Sequence, residues 1–109
     1  MMNIAEYINA NRPVPTNSFY TPPVPKIKCA DGFEMSVQAS ETHYCDPREN
    51  FEDASIYTSM EVGYPSATEP LLMEYAEDEN NPTGTVYGWV PVETINKVLE
   101  NHGGIKESI

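Results

Sequence analysis

Residues 85–104 have the sequence TVYGWVPVETINKVLENHGG and decide the fold. The six residues from Thr85 to Val90 are mostly β-branched or aromatic, which is typical of a strand. Pro91 stands where the first residue of a helix is expected, because a proline there loses no hydrogen-bonded amide. The helix is expected to end at Gly103-Gly104, with one glycine in the left-handed conformation. Its apolar stripe, spaced for one helical face, consists of Val92, Ile95, Val98 and Leu99.

Four further strands are predicted on the N-terminal side of this unit. Each is a short run of alternating or mostly apolar side chains, bounded by turn residues. Their ranges are 26–29, 34–40, 56–64 and 71–75. The first two are joined by an Ala30-Asp31-Gly32 turn and predict a hairpin. The pattern favours an α+β fold, a small antiparallel sheet of about five strands with the 91–102 helix packed on one face.

Residues 1–25 are predicted to form a short helix and a proline-rich arm, and residues 26–109 a single α+β domain. Asn3 and Glu6 have the spacing of a capping box for a helix over residues 3–11. Five of the ten prolines lie within residues 12–25. Because proline cannot donate to a β-ladder, that stretch predicts an extended arm, partly polyproline II.

The charge is strongly unbalanced along the chain. Seventeen Asp and Glu oppose six Lys and Arg, for a formal net charge of −11, and no Lys, Arg or His lies between Arg48 and Lys97. The resulting negative electrostatic field attracts basic surfaces and repels nucleic acid phosphates, so direct binding to DNA or RNA is disfavoured. No apolar run is long enough to span a membrane. No export signal is visible, so reduced thiols are expected.

Aromatic residues accompany the acids in this half of the chain. Rings that anchor and carboxylates that form charge-assisted hydrogen bonds are together typical of a surface that binds basic protein partners. The strand alternation predicts that Tyr87 and Trp89 share one face. An alternative is that the rings only cover the second face of the sheet. The candidate binding residues are Tyr57, Glu61, Glu74, Glu77, Asp78, Glu79, Tyr87 and Trp89.

A second class of function would use the two cysteines and two histidines. A Cys2His2 zinc site could be formed by Cys29, His43, Cys45 and His102, although the spacing fits none of the familiar zinc ligand pairs. Cys45 with His43 and Asp46 has the chemistry of an activated nucleophile. The simpler interpretation is that the cysteines are small apolar fillers. We therefore expect no cofactor, no metal and no enzymatic activity, and keep a small metal-binding or thiol-dependent domain as the alternative.

Several segments resemble a group of small proteins encoded by phages and prophages of bacteria. The resemblance covers residues 24–105, about three-quarters of the chain. It implies a phage context, hence the cytoplasm of an infected or lysogenic bacterial host, and implies no reaction. The segments that carry it are 29–33 (CADGF), 36–40 (SVQAS), 43–45 (HYC) with Pro47-Arg48, 61–66 (EVGYPS), 86–91 (VYGWVP) and 101–105 (NHGGI).

The expected function combines the charge with this context. We expect an acidic phage accessory protein that binds a basic surface of a host protein. By imitating the charge of nucleic acid, it would inhibit a nucleic-acid-handling or defence factor. The identity of that partner and the oligomeric state are not predicted.

Overall fold

A computed structural model describes residues 2–12 and 23–106. Four antiparallel strands form one sheet in the order β1-β2-β3-β4, accompanied by two α-helices. The elements are α1 (Ile4–Asn11), β1 (Ile27–Lys28), β2 (Glu34–Gln38), β3 (Ser59–Gly63), β4 (Val86–Pro91) and α2 (Val92–Asn101). The α+β class and the C-terminal helix are confirmed. Most of the predicted proline-rich arm lies outside the described residues.

The predicted fourth strand, residues 71–75, is wrong, so the sheet has four strands and not five. Met73–Tyr75 is a single 3-10 turn. The backbone N–H of Leu71 donates to Glu69 Oε2 at 2.9 Å, and that of Leu72 donates to the Glu69 carbonyl at 3.0 Å. These local hydrogen bonds take the donors that a β-ladder would need. The observed third strand, β3, is shorter than the predicted range 56–64, because a 3-10 turn over Ala54–Ile56 precedes it.

Helix α1 begins at its predicted cap, whereas α2 begins one residue later than predicted, at Val92, because Pro91 is the last residue of β4 and the N-cap of the helix. Asn3 and Glu6 form the capping box of α1. Gly103 and Gly104, directly after α2, both have a φ of 86°. Among the described residues, no helix has the length and apolar character needed to cross a bilayer.

The core lies between the helices and the sheet. The apolar residues that β2 and β3 bury are Met35, Val37, Met60 and Val62. From α2, Ile95, Val98 and Leu99 are buried, and Val92 is half-buried. The two helices also contact each other, since the backbone N–H of Ile4 donates to Asn96 Oδ1 at 2.8 Å.

A β-bulge interrupts the pairing of β3 with β4. Gly88 and Trp89 of β4 stand opposite the single residue Glu61 of β3. The extra residue changes the alternation, so Tyr87 and Val90, three residues apart, are both buried. Trp89 is the bulged residue with a left-handed backbone, at a φ of 50°. The prediction that Tyr87 and Trp89 share one strand face is therefore wrong.

The chain after α2 returns to the sheet edge. Ile105 forms an isolated antiparallel bridge with Cys29, and the backbone N–H of Lys106 donates to the Lys28 carbonyl at 2.7 Å. This return covers β1 and places His102, the residue between α2 and Gly103, next to the turn at Asp31.

Candidate functional site

One open groove lies on the surface at the bulge of β4. It has a volume of about 340 Å³ and is called here the Trp89 groove. It is lined by Tyr44, Tyr75, Glu77, Gly88 and Trp89. Trp89 is 52% exposed, which is unusual for the largest apolar side chain and makes this groove the candidate binding site.

Trp89 is held firmly although it is exposed. Its backbone N–H donates to the Tyr44 carbonyl at 2.9 Å. The Tyr44 and Trp89 rings stack, with centroids 5.0 Å apart and planes 25° from parallel. Gly88 makes this approach possible, because a Cβ at that position would lie 3.3 Å from Tyr44 Cβ. The backbone of Trp89 is therefore fixed to Tyr44, and its indole packs against the Tyr44 ring.

Tyr44 in turn is positioned by two charged residues. Its backbone N–H donates to Glu61 Oε2 at 2.9 Å, and the guanidinium carbon of Arg48 lies 5.4 Å from the centre of its ring. Glu61 is half-buried. The structure thus gives Glu61, predicted to bind a partner, an internal role that fixes one wall of the groove.

The opposite wall comes from residues 75–77, which cross the free edge of β4. Ala76 forms an isolated bridge with Tyr87, and the backbone N–H of Glu77 donates to the Val86 carbonyl at 3.0 Å. The Glu77 side chain is exposed, and in residues 2–12 and 23–106 no Lys or Arg makes an ion pair with it. Glu77 therefore adds an uncompensated carboxylate to an aromatic groove.

The other predicted acids do not line this groove. Glu74, Asp78 and Glu79 are exposed. Asp78 also accepts a hydrogen bond from the backbone N–H of Asn80 at 3.1 Å, which shapes the turn. Glu74 and Asp78 are sequence neighbours of the lining residues Tyr75 and Glu77, but none of the three acids forms the wall.

Two of the predicted aromatic anchors are not on the surface. Tyr57 is 3% exposed and Tyr87 is completely buried. The Tyr57 hydroxyl donates to the Glu49 carbonyl, and the Tyr87 hydroxyl donates to the Pro82 carbonyl, each at 2.5 Å. Both rings thus belong to the core and fix loops through their hydroxyls, so neither is available to a partner.

A second aromatic and acidic cluster surrounds His102. It is called here the His102 clamp and consists of Asp31, Phe33, Glu69 and His102. Nδ1 of His102 lies 2.6 Å from Asp31 Oδ2, and Nε2 lies 2.8 Å from Glu69 Oε1. The imidazole stacks on Phe33, with centroids 4.1 Å apart and planes 13° from parallel. Because both ring nitrogens face carboxylate oxygens, both donate when the ring is an imidazolium.

The pKa values within the clamp agree with a charged imidazole. Burial acts to lower the pKa of His102, but the hydrogen bonds and charges of Asp31 and Glu69 together outweigh it and raise that pKa above its ordinary value. The pKa of Asp31 is lowered, first by the backbone N–H of Phe33 and then by His102. The clamp is therefore a closed ion-paired unit in which the histidine has no free nitrogen for a metal.

The thiols are far from reactive. Cys29 and Cys45 are free and buried. Burial, with Asp31 nearby, raises the pKa of Cys29 to about 11, and burial also raises the pKa of Cys45. His43 Nδ1 lies 2.6 Å from Ser40 Oγ, and burial lowers the pKa of this imidazole. The alternative zinc ligands, Cys29, His43, Cys45 and His102, are not brought together, since the described residues include no group of three or more His, Cys, Asp or Glu that could hold a metal ion.

Several residues of these two clusters were not predicted as site residues. Tyr44 lies between the candidate residues His43 and Cys45, and Phe33 follows the predicted turn at Gly32. Such proximity in the sequence is only a weak indication of a site residue. Glu69 meets His102 across 33 positions of sequence, and no local pattern indicates such a pair. Comparison of the chain with family models, curated proteins and solved structures found no match.

Proposed function

We propose that this chain is an interaction protein that binds a basic segment of a partner protein at the Trp89 groove. The observation that carries the proposal is an exposed tryptophan, held in a left-handed backbone conformation, in a groove that is also lined by Glu77, an acid with no basic partner among the described residues. Following the resemblance to phage-encoded proteins, the partner is proposed to be a protein of the bacterial host.

The backbone conformation of Trp89 supports this proposal. For a bulky residue the left-handed region is strained by roughly 1–2 kcal/mol. Trp89 and Tyr64 are the non-glycine residues in this region within the described part of the chain, and both side chains are about half exposed, at 52% and 51%. The fold gains little burial from Trp89 in return for the strain. Retained strain of this kind concentrates at binding sites, and tryptophan is an effective interface anchor.

The charge distribution determines the chemistry of the proposed partner. Glu77, Asp78 and Glu79 are consecutive exposed acids, the first of which lines the groove, in a chain with a net charge of −11. Exposed charges steer encounter with a basic surface and accelerate association. A basic protein segment is thus the complementary partner. Host proteins that handle nucleic acid present such surfaces, so imitation of nucleic acid charge follows as the mode of inhibition.

The alternative, a metal-binding or thiol-dependent domain built on Cys29, His43 and Cys45, has less support. A thiolate is the reactive form of cysteine, and the pKa of each thiol is raised by burial. His43 contacts Ser40, not a cysteine, through Nδ1.

The test is affinity capture from bacterial lysate at low salt, followed by mass spectrometry. Three baits are compared with the unaltered chain: Trp89→Ala, the joint reversal of Glu77, Asp78 and Glu79 to Lys, and a control reversal of Glu49, Glu52 and Glu100 to Lys. The control makes the same change in net charge at exposed acids of other segments. We expect a protein that is captured by the unaltered and control baits and lost with the two groove baits.

The captured protein then supplies a kinetic test. Reversal of the groove acids should slow association more than it accelerates dissociation, and raised salt should weaken the complex steeply. DNA should compete for the same partner if the charge of nucleic acid is imitated. Capture that is equal for all four baits, or an affinity that does not change with salt, would overturn the proposed function.

A further inference from the structure

We propose that the group which enters the Trp89 groove is the guanidinium of an arginine side chain, and that the groove discriminates against lysine. This inference rests on the proposed function and specifies its ligand. It depends on three properties of the groove: its planar aromatic lining, its unpaired carboxylate and its size.

The lining matches a planar cation. A guanidinium stacks flat on aromatic rings and donates several hydrogen bonds in a fixed fork, whereas a lysine ammonium is compact and strongly hydrated. The groove combines the exposed indole of Trp89 and the half-buried ring of Tyr75 with the Glu77 carboxylate. A guanidinium there can stack on a ring face and donate hydrogen bonds to the carboxylate at the same time. An ammonium would interact mainly through its charge with the carboxylate.

The chain already places a planar cation on an aromatic ring in two places, one of them with carboxylates beside it. In the His102 clamp, a planar imidazolium stacks on Phe33 while carboxylates accept its two N–H groups. Next to the groove, the guanidinium of Arg48 lies over the ring of Tyr44, the ring that stacks on Trp89. The Trp89 groove has the same aromatic and acidic parts, but no cation among the described residues is ion-paired with Glu77. Charge complementarity therefore favours a cation from outside.

The volume is consistent with a single side chain. At about 340 Å³ the groove is near the lower limit of the range, roughly 300–1,000 Å³, that is found for small-molecule sites. It has space for the guanidinium and part of its stem, while the rest of the partner lies outside.

The groove is also organised before the ligand arrives. The backbone N–H of Trp89 donates to the Tyr44 carbonyl, and the backbone N–H of Tyr44 donates to the Glu61 carboxylate. A ring that is already fixed loses little conformational entropy on binding, so a small contact area can still give measurable affinity. This is the physical reason to expect binding even of a short peptide.

Trp89 is the single tryptophan of the chain, so the intrinsic tryptophan fluorescence comes from this groove alone. Its fluorescence is titrated with three short peptides that differ only in one residue type: arginine, lysine, or citrulline as the neutral planar analogue of arginine. We expect the arginine peptide to change the fluorescence and to bind about fivefold or more tightly than the lysine peptide. The citrulline peptide should bind most weakly, because it keeps the shape and loses the charge.

A matched pair of variants locates the site. Glu77→Gln should weaken binding of the arginine peptide and reduce the preference over lysine. Glu79→Gln removes the same charge from an exposed residue that does not line the groove, and should leave the preference unchanged. Both variants are expected to fold, since both side chains are exposed.

The outcomes separate this inference from the proposed function. Equal affinity for the arginine and lysine peptides would overturn the arginine inference, while capture that depends on the groove would still support the proposed function. No binding of either basic peptide, together with capture that does not depend on the groove, would overturn both. Equal effects of Glu77→Gln and Glu79→Gln on the arginine preference would also contradict the proposed contact.

Discussion

The His102 clamp and the Trp89 groove are built from the same kinds of side chain and differ in one component. Each stacks one ring on another and places a carboxylate beside the stack. The clamp contains its own cation, the imidazolium of His102, between two carboxylates. The groove leaves Glu77 without a basic partner in the described part of the chain. A cation supplied by the chain itself stabilises the fold, whereas a carboxylate without one leaves part of the surface available to a partner.

The two regions also differ in what they connect. His102 joins segments that are separated by 71 and 33 positions of sequence, through Asp31 and Glu69. Glu69 is buried, and the His102 ring faces its carboxylate at 2.8 Å. Glu77 and Trp89 are exposed, and their removal costs the fold little. Substitutions in the clamp should therefore change stability, and substitutions in the groove should change binding.

The largest effect is expected from the core on which both regions depend. Leu99 is 1% exposed and packs among the buried side chains, one turn before His102. Leu99→Ala should lower the free energy of unfolding by roughly 2–5 kcal/mol. Exposed Lys97→Ala, in the same helix, should cost about 0.5 kcal/mol or less. Urea denaturation of both variants measures this, and similar midpoints would mean that this face of α2 is not packed on the core.

Removal of the clamp cation should have the next largest effect. His102→Ala removes the cationic partner of the buried Glu69 carboxylate, which among the described residues keeps only the N–H of Leu71, at a cost of roughly 2–3 kcal/mol. Adding Glu69→Gln should recover part of this loss, because the uncompensated charge is then gone. Equal stability of the single and double variants would show that the clamp is not a coupled unit. Affinity of the Trp89 groove for the arginine peptide should remain unchanged in both.

The stability contributed by the clamp should depend on pH in a defined direction. The pKa of His102 is raised in the folded state above its ordinary 6.5, so the folded protein binds more protons between these two values. The contribution is fully present below the unfolded pKa and is lost as the pH rises through the folded pKa. Unfolding of the unaltered chain and of His102→Gln, measured at pH values on both sides of 6.5, tests this. The difference between them should shrink towards alkaline pH; a constant or growing difference would contradict the clamp.

The smallest effect on stability is expected at Trp89. It is the difference between two variants that both lose the indole ring. Trp89→Gly should be more stable than Trp89→Ala by about 1 kcal/mol, because glycine adopts the left-handed conformation without strain. At Ile56, which is also exposed but lacks a positive φ, alanine should be at least as stable as glycine. Thermal denaturation of the four variants provides the measurement. An advantage of alanine at Trp89 would mean that the backbone there is not strained.

Local sequence patterns predicted the local structure well. The capping box of Asn3 and Glu6, the hairpin of β1 and β2, and the end of α2 at Gly103-Gly104 were all visible in short windows. Each depends on hydrogen bonds or side-chain spacing within a few residues. The prediction failed for residues 71–75, where an apolar run is typical of a strand but the Glu69 side chain and carbonyl favour a turn.

The sites were less predictable for a physical reason. Strand alternation indicated that Tyr87 and Trp89 point the same way, but the bulge opposite Glu61 reverses the direction of Trp89. Burial of Tyr57 depends on how its loop folds onto the core. Neither effect is encoded in a periodic pattern, because each depends on which distant segment lies alongside.

The sequence by itself determined the α+β class, the helix ends, the large negative charge and the presence of Trp89 among acids. Those properties depend on composition or on neighbours in the chain. Only the tertiary structure decided which carboxylates are neutralised and which remain free. Asp31 and Glu69 meet His102 through the return of the chain after α2, while Glu77 lines the same groove as Trp89 through the crossing of residues 75–77 over β4. Coulombic and stacking interactions act over a few ångströms, and only folding sets those distances between remote residues.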